Sequence, residues 1–247
     1  MINENKKNST NQNLITISVL STLVVIFIIL CVLTLTGVFY MFENAVYDFL
    51  YNLINPVLTG FARVITFAGF FPLLIGTGLL LEVIPKTRHK FGFQAALSAG
   101  AGYLINYIFK VIFQRPRPTF NQIVASTGFS FPSGHSAAAA AFFAAIIIYI
   151  IFNIKDKRVS IPTIILCALM PIIVALSRIY LGVHYVTDTI TGIVLGTIIA
   201  ILISIILWTI LNRKMTKFQR LHKFLFGQQK NISKPAEQSD AAEKLEE

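Results

Sequence analysis

Six long apolar runs separated by short polar stretches set the plan of the chain: Leu14–Val38, Phe61–Ile84, Phe91–Ile112, His135–Phe152, Ile161–Ser177 and Thr189–Leu211. Each is near the roughly 20 residues that a helix needs to cross a hydrocarbon core. The pattern predicts an all-α fold, a six-helix transmembrane bundle forming one domain over residues 14–211. Residues 1–13 read as a cytoplasmic N-terminal tail. Residues 212–226 read as a basic membrane-surface segment, in which Met215, Phe218, Leu221 and Leu225 alternate with basic residues, and 227–247 as a polar, disordered tail. The first run is too long for the apolar core of a signal peptide and lacks a small-residue cleavage site, so a retained span is expected. Between the first two runs, Phe42, Ala45, Val46, Phe49, Leu50 and Leu53 recur at helical spacing while Glu43, Asn44, Asp48 and Asn52 face elsewhere. This predicts a short helix in the membrane interface, either a plain amphipathic connector capped by Asn55-Pro56 or, in the more specific reading, a lid.

Composition changes the picture only by placing it. With 55% hydrophobic residues, 13% charged and a mean hydropathy of +0.71 over 247 residues, the chain is too apolar for a soluble domain. Cys31 and Cys167 both fall inside spans, where packing is their expected role, and no disulfide or zinc spacing exists. The net charge of +10 raises nucleic acid as a partner, but its distribution points to a bilayer instead. Lys6 and Lys7, then Lys86, Arg88 and Lys90, then Lys155, Lys157 and Arg158, then Arg213, Lys214, Lys217, Arg220 and Lys223 fall in alternate connections, the pattern of cytoplasmic loops. Both termini are therefore expected inside a cell membrane. The opposite connections hold few basic residues beyond Lys110, Arg115, Arg117 and Arg178, which places these on the extracytoplasmic face. Asn8-Ser9-Thr10 and Asn231-Ile232-Ser233 match glycosylation sequons but lie on the expected cytoplasmic side and carry no weight.

Three polar islands at the ends of the spans hold the candidate chemistry. In the first, Lys110 ends the third run, and Gln114-Arg115-Pro116-Arg117-Pro118 cannot continue a helix because two prolines lack the N–H donor and restrict the residues before them. Arg117 then emerges on an extended turn beside Lys110, while Arg115 is expected to stay solvated. In the second, Pro132-Ser133-Gly134-His135 opens the fourth span. Free helix N–H groups there suit an anion, Gly134 allows close approach, Ser133 can donate its hydroxyl, and His135 is placed to give a proton to a leaving oxygen. Taken alone, this island is better explained by a capping serine beside a packed histidine; the neighbouring islands reverse that order. In the third, Arg178 closes the fifth span and His184 stands four residues before Asp188, so both side chains share one helix face. The carboxylate can hold one ring N–H, leaving the distal nitrogen to attack phosphorus. Clustered positive charge, an attacking group and a proton donor are what phosphoryl transfer requires. Two-metal hydrolysis needs several carboxylates, whereas only Asp188 lies near the islands, with Glu43 and Asp48 on the connector and Glu82 toward the inner face. Neither a metal nor another cofactor is expected.

Lys110-x6-Arg117-Pro118, Pro132-Ser133-Gly134-His135 and Ser177-Arg178-x5-His184-x3-Asp188 resemble, in order and spacing, the three signature motifs of the type 2 phosphatidic acid phosphatase superfamily, with no departure at any motif position. The resemblance implies His184 as nucleophile, Asp188 as its orienting partner and His135 as general acid. It implies Lys110, Arg117, Ser133, Gly134 and Arg178 as phosphate-binding groups. It further implies a membrane lipid phosphatase acting through a phosphohistidine on phosphatidic acid, phosphatidylglycerophosphate or a polyprenyl diphosphate. Three other readings share these residues: a vanadate-dependent haloperoxidase, disfavoured because those relatives are soluble; a lipid phosphotransferase passing the phosphoryl group to an acceptor hydroxyl; and a noncatalytic scaffold or transporter, which does not need both a nucleophile and an acid. Phe129, Phe131, Tyr180 and Tyr185 either line the pocket or anchor the interface. The motifs specify the phosphate, not the lipid attached to it.

Overall fold

The protein is described by a computed structural model covering residues 2–83, 91–119 and 122–226, with side chains over 14–83, 91–119 and 122–211. The basic residues Lys86, Arg88 and Lys90 and the tail 227–247 lie outside the described residues, as do the side chains of 2–13 and 212–226. The described elements are all helical: α1 (Ile2–Leu35), α2 (Tyr40–Tyr51), α3 (Pro56–Thr66), a short 3-10 turn (Phe67–Gly69), α4 (Phe71–Val83), α5 (Phe91–Phe113), α6 (Gly134–Asn153), α7 (Lys157–Tyr180) and α8 (Val186–Phe226). Five helices are long and apolar enough to cross a membrane, and the pair Pro56–Gly69 and Phe71–Val83 makes a sixth span if taken together. The chain is thus an all-α integral membrane protein. It divides into two compact units, Met1–Leu207 and Trp208–Glu247; every site residue discussed below belongs to the first, and the described part of the second is the helical run to Phe226.

The second expected span is broken. Residues Phe61–Ile84 read as one apolar run, yet α3 and α4 meet at 58°. Pro72 supplies no N–H and constrains Phe71, so the helix unwinds just before it, with Phe70 extended at φ −75° and ψ 109°. The break seats Gly69 where a Cβ would lie 2.6 Å from the Val174 side chain and 2.9 Å from the His135 carbonyl. A straight helix carrying a larger residue could not approach α6 and α7 this closely. At its other end, Asn55 and Pro56, expected to close the connector, instead open α3, with Asn55 accepting the Leu58 N–H and Pro56 in the first turn, while α2 stops at Tyr51.

The central element is α6. Half of its apolar window is buried, against 6% for α1, whose surface is left for lipid. Ala137 through Ala141 have almost no exposed surface, and their small side chains let neighbouring backbones come close. Ala95 and Ala99 of α5, Leu74 of α4 and Ala200 of α8 join Ala138, Phe142 and Ala145 in one buried cluster. Close approach is tightest at Gly196, where a Cβ would run into the Ala137 carbonyl, and next to the site it is demanding at Gly192, where a Cβ would lie 2.6 Å from the Ser133 carbonyl and 3.1 Å from the Ser136 Cβ. Since lipid offers apolar side chains the same solvent as other helices do, such packing is what joins spans in a bilayer. Replacing Gly192 by valine is expected to destabilise the protein by about 1–3 kcal/mol through overpacking. A lowered unfolding midpoint in detergent checks this, and Gly76→Val, at a position where a Cβ meets nothing within 4 Å, serves as the control.

Candidate active site

The three polar islands meet at one end of the bundle because each sits where a span stops or starts. Lys110 is in the last turn of α5, Ser133 caps α6, Arg178 is in the last turn of α7, and Asp188 is in the first turn of α8. The Ser133 N–H donates to the Asp188 carbonyl at 2.9 Å, joining the second and third islands backbone to backbone. Lys110 donates from Nζ to the carbonyls of Phe129 at 2.7 Å and Ser130 at 3.0 Å, joining the first to the second. An ammonium has three protons, so one is left for another acceptor.

His184 sits in the turn before α8 and is 2% exposed. Burial pushes its imidazole far below the usual histidine range, to about 3, with the bond and charge of Asp188 pulling upward and Lys110 and Arg117 adding to the downward push. The ring is therefore neutral. Its Nδ1 lies 3.5 Å from Asp188 Oδ2 and 3.3 Å from Ser130 Oγ, while Nε2 lies 3.3 Å from Arg117 Nη1. Arginine only donates, so Nε2 is the nitrogen with the lone pair and Nδ1 carries the proton. Tyr47 of α2 donates its hydroxyl to the His184 carbonyl at 2.7 Å, fixing the backbone of this turn.

Asp188 is wholly buried and both of its oxygens accept hydrogen bonds. Oδ1 accepts from Arg115 at 2.6 Å; Oδ2 accepts from the Ser130 hydroxyl and from the Tyr185 N–H at 2.9 Å. The last contact, in which the carboxylate of the third helical residue accepts from the N–H of the residue preceding the helix, is half of a capping box and helps start α8 where it does. Arg115 also pairs with Glu43 at 2.6 Å, donates to Thr187 Oγ1 at 2.8 Å and lies 4.1 Å over the Tyr185 ring. Burial lowers the Arg115 pKa, but the two carboxylates outweigh it and the net shift is upward.

The expectation that Arg115 is solvated is thus corrected: prolines on both sides of Arg117 turn the loop so that Arg115 points inward between two carboxylates. Glu43 is likewise 1% exposed and Tyr47 4%, so α2 turns these two side chains to the protein, while Phe42 and Phe49 are 54% and 65% exposed. The expected division into a polar and an apolar face is thus corrected: Asp48 and Asn52 of the polar set are exposed, and Leu50 of the apolar set packs inward. A lone glutamate at membrane depth needs a partner, and that requirement is the signal by which Glu43 could have been singled out. Ser130 carries no comparable signal, and Thr66, which accepts from Arg178 Nη1 at 2.8 Å, becomes visible only once the break after α3 is known.

The remaining candidates are brought into the same region. Arg117 is held by the carbonyls of Thr127 (3.0 Å from Nη2), Gly128 (3.0 Å from Nε) and Val183 (2.8 Å from Nη1). Burial draws it below its ordinary value and Asp188 opposes this. Ser133 Oγ accepts from the Ser136 hydroxyl at 3.0 Å and its N–H at 3.5 Å, which leaves the Ser133 proton free to donate. Arg178 is 7% exposed, and its Nε has no partner. His135 is within electrostatic range of Arg178, His184, Arg117 and Lys110. Gly134 packs with a would-be Cβ 3.2 Å from Asn106 Oδ1. Of the four aromatics, Phe131 is core, Tyr180 bonds Thr59 at 3.0 Å, Tyr185 stacks under Arg115, and Phe129 alone is appreciably exposed. Among the described residues no three histidine, cysteine, aspartate or glutamate side chains converge as metal ligands.

The buried His–Asp pair thus lies at one end of a helical membrane bundle, ringed by cationic and hydroxyl groups. Residues 91–212 match the sequence profile of the PAP2 superfamily. Phosphatidylglycerophosphatase B of Bacillus subtilis (strain 168) is 33% identical over 147 residues, 58% of this chain and 70% of that protein. Decaprenylphosphoryl-5-phosphoribose phosphatase of Mycolicibacterium smegmatis is 31% identical over 104 residues, 39% of this chain and 51% of that protein. The crystal structure of a transmembrane PAP2 type phosphatidylglycerolphosphate phosphatase from Bacillus subtilis superimposes with a TM-score of 0.66 at 28% identity, over 75% of this chain and 94% of that one. Aquifex aeolicus LpxE shares the fold, with a TM-score of 0.52 at 23% identity over 64% and 92% of the two chains. The chain belongs to the PAP2 superfamily, and it is a phosphoric ester hydrolase of that family, a lipid phosphatase of the PAP2 type.

Two outcomes follow from the buried charges. Arg115→Ala leaves Glu43 and Asp188 without their shared counter-ion and is expected to cost about 3 kcal/mol or more, with Arg115→Lys recovering part of it; denaturant unfolding in detergent measures both. His184 refuses a proton in the folded state down to about pH 3, whereas in the unfolded chain it takes one near the ordinary histidine value of 6.5. More protons are then bound unfolded, so stability falls as pH drops through that window, and the slope is expected to be shallower in His184→Gln.

Proposed function

We propose that the protein releases phosphate from a phosphorylated membrane lipid at the extracytoplasmic face by a metal-independent, two-step displacement through a phosphohistidine. The observation that carries this reading is the state of His184: neutral, buried, with Nδ1–H turned toward Asp188 and Ser130 and the Nε2 lone pair turned toward the guanidinium of Arg117. A phosphoryl group held by Arg117, Arg178 and Lys110 would present phosphorus to that lone pair. Ser133 Oγ and the free N–H groups at the start of α6, where Gly134 admits the close approach, supply further donors to its equatorial oxygens.

In the first step the Nε2 pair forms the N–P bond as the P–O bond to the lipid breaks, and His135 gives its proton to the departing oxygen. Asp188 offsets the positive charge that develops on the His184 ring. In the second step water, its proton taken by His135, attacks phosphorus and the N–P pair returns to Nε2. Positioning and electrostatics supply most of the rate, as phosphoryl transfer needs little else.

The assignment of the face rests on charge. The site lies at the end where α5 and α7 finish and α6 and α8 begin, while Lys155, Lys157 and Arg158 occupy the opposite end, between α6 and α7. Basic loops favour the cytoplasm, which puts both termini there and the site outside. The relatives named above are a phosphatidylglycerophosphatase and a decaprenylphosphoryl-5-phosphoribose phosphatase, and phosphatidylglycerophosphate, phosphatidic acid and a polyprenyl diphosphate are the proposed substrates.

The test presents phosphatidic acid, phosphatidylglycerophosphate and polyprenyl diphosphate to the purified protein in detergent and measures released phosphate. His184→Ala and His135→Ala are expected to lose at least about a thousandfold in rate while still inserting, and EDTA is expected to leave the parent unaffected. Full activity in His184→Ala, or abolition by EDTA, contradicts the mechanism.

A further inference from the structure

The direct contact expected between the histidine and the aspartate is stretched. His184 Nδ1 and Asp188 Oδ2 are 3.5 Å apart, at the outer limit of a hydrogen bond, whereas Ser130 Oγ is 3.3 Å from Nδ1 and donates to Oδ2. We propose that Ser130 is a positioning residue of the reaction, linking Asp188 to His184 by one hydroxyl that accepts from the ring and donates to the carboxylate. The inference rests on the phosphohistidine reading above and adds to it a group outside all three signature motifs.

Donor and acceptor counting leads to the same arrangement. Asp188 Oδ1 is taken by Arg115, and Oδ2 already receives the Tyr185 N–H and the Ser130 hydroxyl. The Ser130 proton is committed to the carboxylate, which leaves its lone pairs facing Nδ1–H. Ser130 has no exposed surface, and its own backbone is pinned at both polar atoms: its N–H donates to the Arg115 carbonyl at 2.8 Å and its carbonyl accepts from Lys110 Nζ at 3.0 Å. No rotation toward water competes with the bridge. The Ser130 backbone is thus held by Lys110 and Arg115, at the end of α5 and just beyond it, while the hydroxyl itself is directed by its bond to Asp188.

The chemistry asks for such a link. A neutral imidazole can carry its proton on either nitrogen, and only the Nδ1–H form has its Nε2 pair available for phosphorus. As the N–P bond forms, positive charge spreads over the ring and Nδ1–H becomes a stronger donor; the hydroxyl passes that polarisation to the carboxylate without itself gaining or losing a proton. Ser130 thus selects the tautomer beforehand and stabilises the charge as it appears, although it touches neither the lipid nor the phosphate.

The experiment compares Ser130→Thr with Ser130→Val, two side chains of the same shape of which only the first has a hydroxyl, so that any packing cost is common to both. Hydrolysis of phosphatidic acid in detergent micelles gives kcat and KM, and competition by inorganic phosphate reports the anion site independently. Expected is a kcat for Val about a hundredfold below that for Thr, with KM and the inhibition constant for phosphate within about threefold of each other. Ser130→Ala is expected to follow Val. Equal kcat for Thr and Val overturns the proposal, and so does a difference confined to KM or to phosphate affinity, which would make Ser130 part of the anion site. The parent and His184→Ala run alongside: if His184→Ala is active, it is the phosphohistidine reading that fails, not the bridge alone.

Discussion

A carboxylate with no exposed surface at the head of a membrane helix must be met by donors, and the solution found for Asp188 organises the whole site end of the bundle. Desolvating the charge costs several kcal/mol unless it is paired and hydrogen-bonded. The partners come from well-separated stretches of chain: Arg115 from the proline-rich turn after α5, Ser130 from the segment before α6, and the Tyr185 N–H from its own helix start. Each of these is tied onward, Arg115 to Glu43 of α2 and Ser130 to Lys110 of α5. Meeting one negative charge thus recruits α2, α5, α6 and α8 into a single polar assembly, inside which His184 is dry and neutral.

That assembly could not close without the small residues beneath it. The bond from the Ser133 N–H to the Asp188 carbonyl requires α6 and α8 to cross at backbone contact, which Gly192 and the alanine run of α6 permit. On the other flank, the bend ahead of Pro72 brings Gly69 against His135 and Val174 and delivers Thr66 to Arg178. Packing without volume, rather than apolar bulk, therefore sets the distances among the polar groups.

The sequence made the spans and the three islands legible because membrane helices announce themselves by length and because the island residues fall at fixed separations around helix ends. It was silent where the deciding fact is tertiary. Phe61–Ile84 has the apolarity of one span, and nothing local states that Pro72 unwinds it rather than kinking it. Arg115 and Arg117 are two residues apart with the same chemistry, and only the path of the turn decides that one meets carboxylates and the other meets His184. In α2 the helical period was visible, but period alone does not say which face is turned inward; Glu43 and Tyr47 were claimed by the site, and the phenylalanines by lipid. Ser130 is an ordinary serine until three other segments converge on it.

The contrast between α6 and α1 has a practical meaning for how such a chain can vary. Side chains along α1 answer chiefly to the bilayer, which asks them to be greasy and nothing more, so one branched aliphatic can stand in for another at little cost. At the α6 end nearly every atom has an assigned neighbour, and a change of a single methyl group is felt. Divergence should therefore accumulate on the coat and spare the hub.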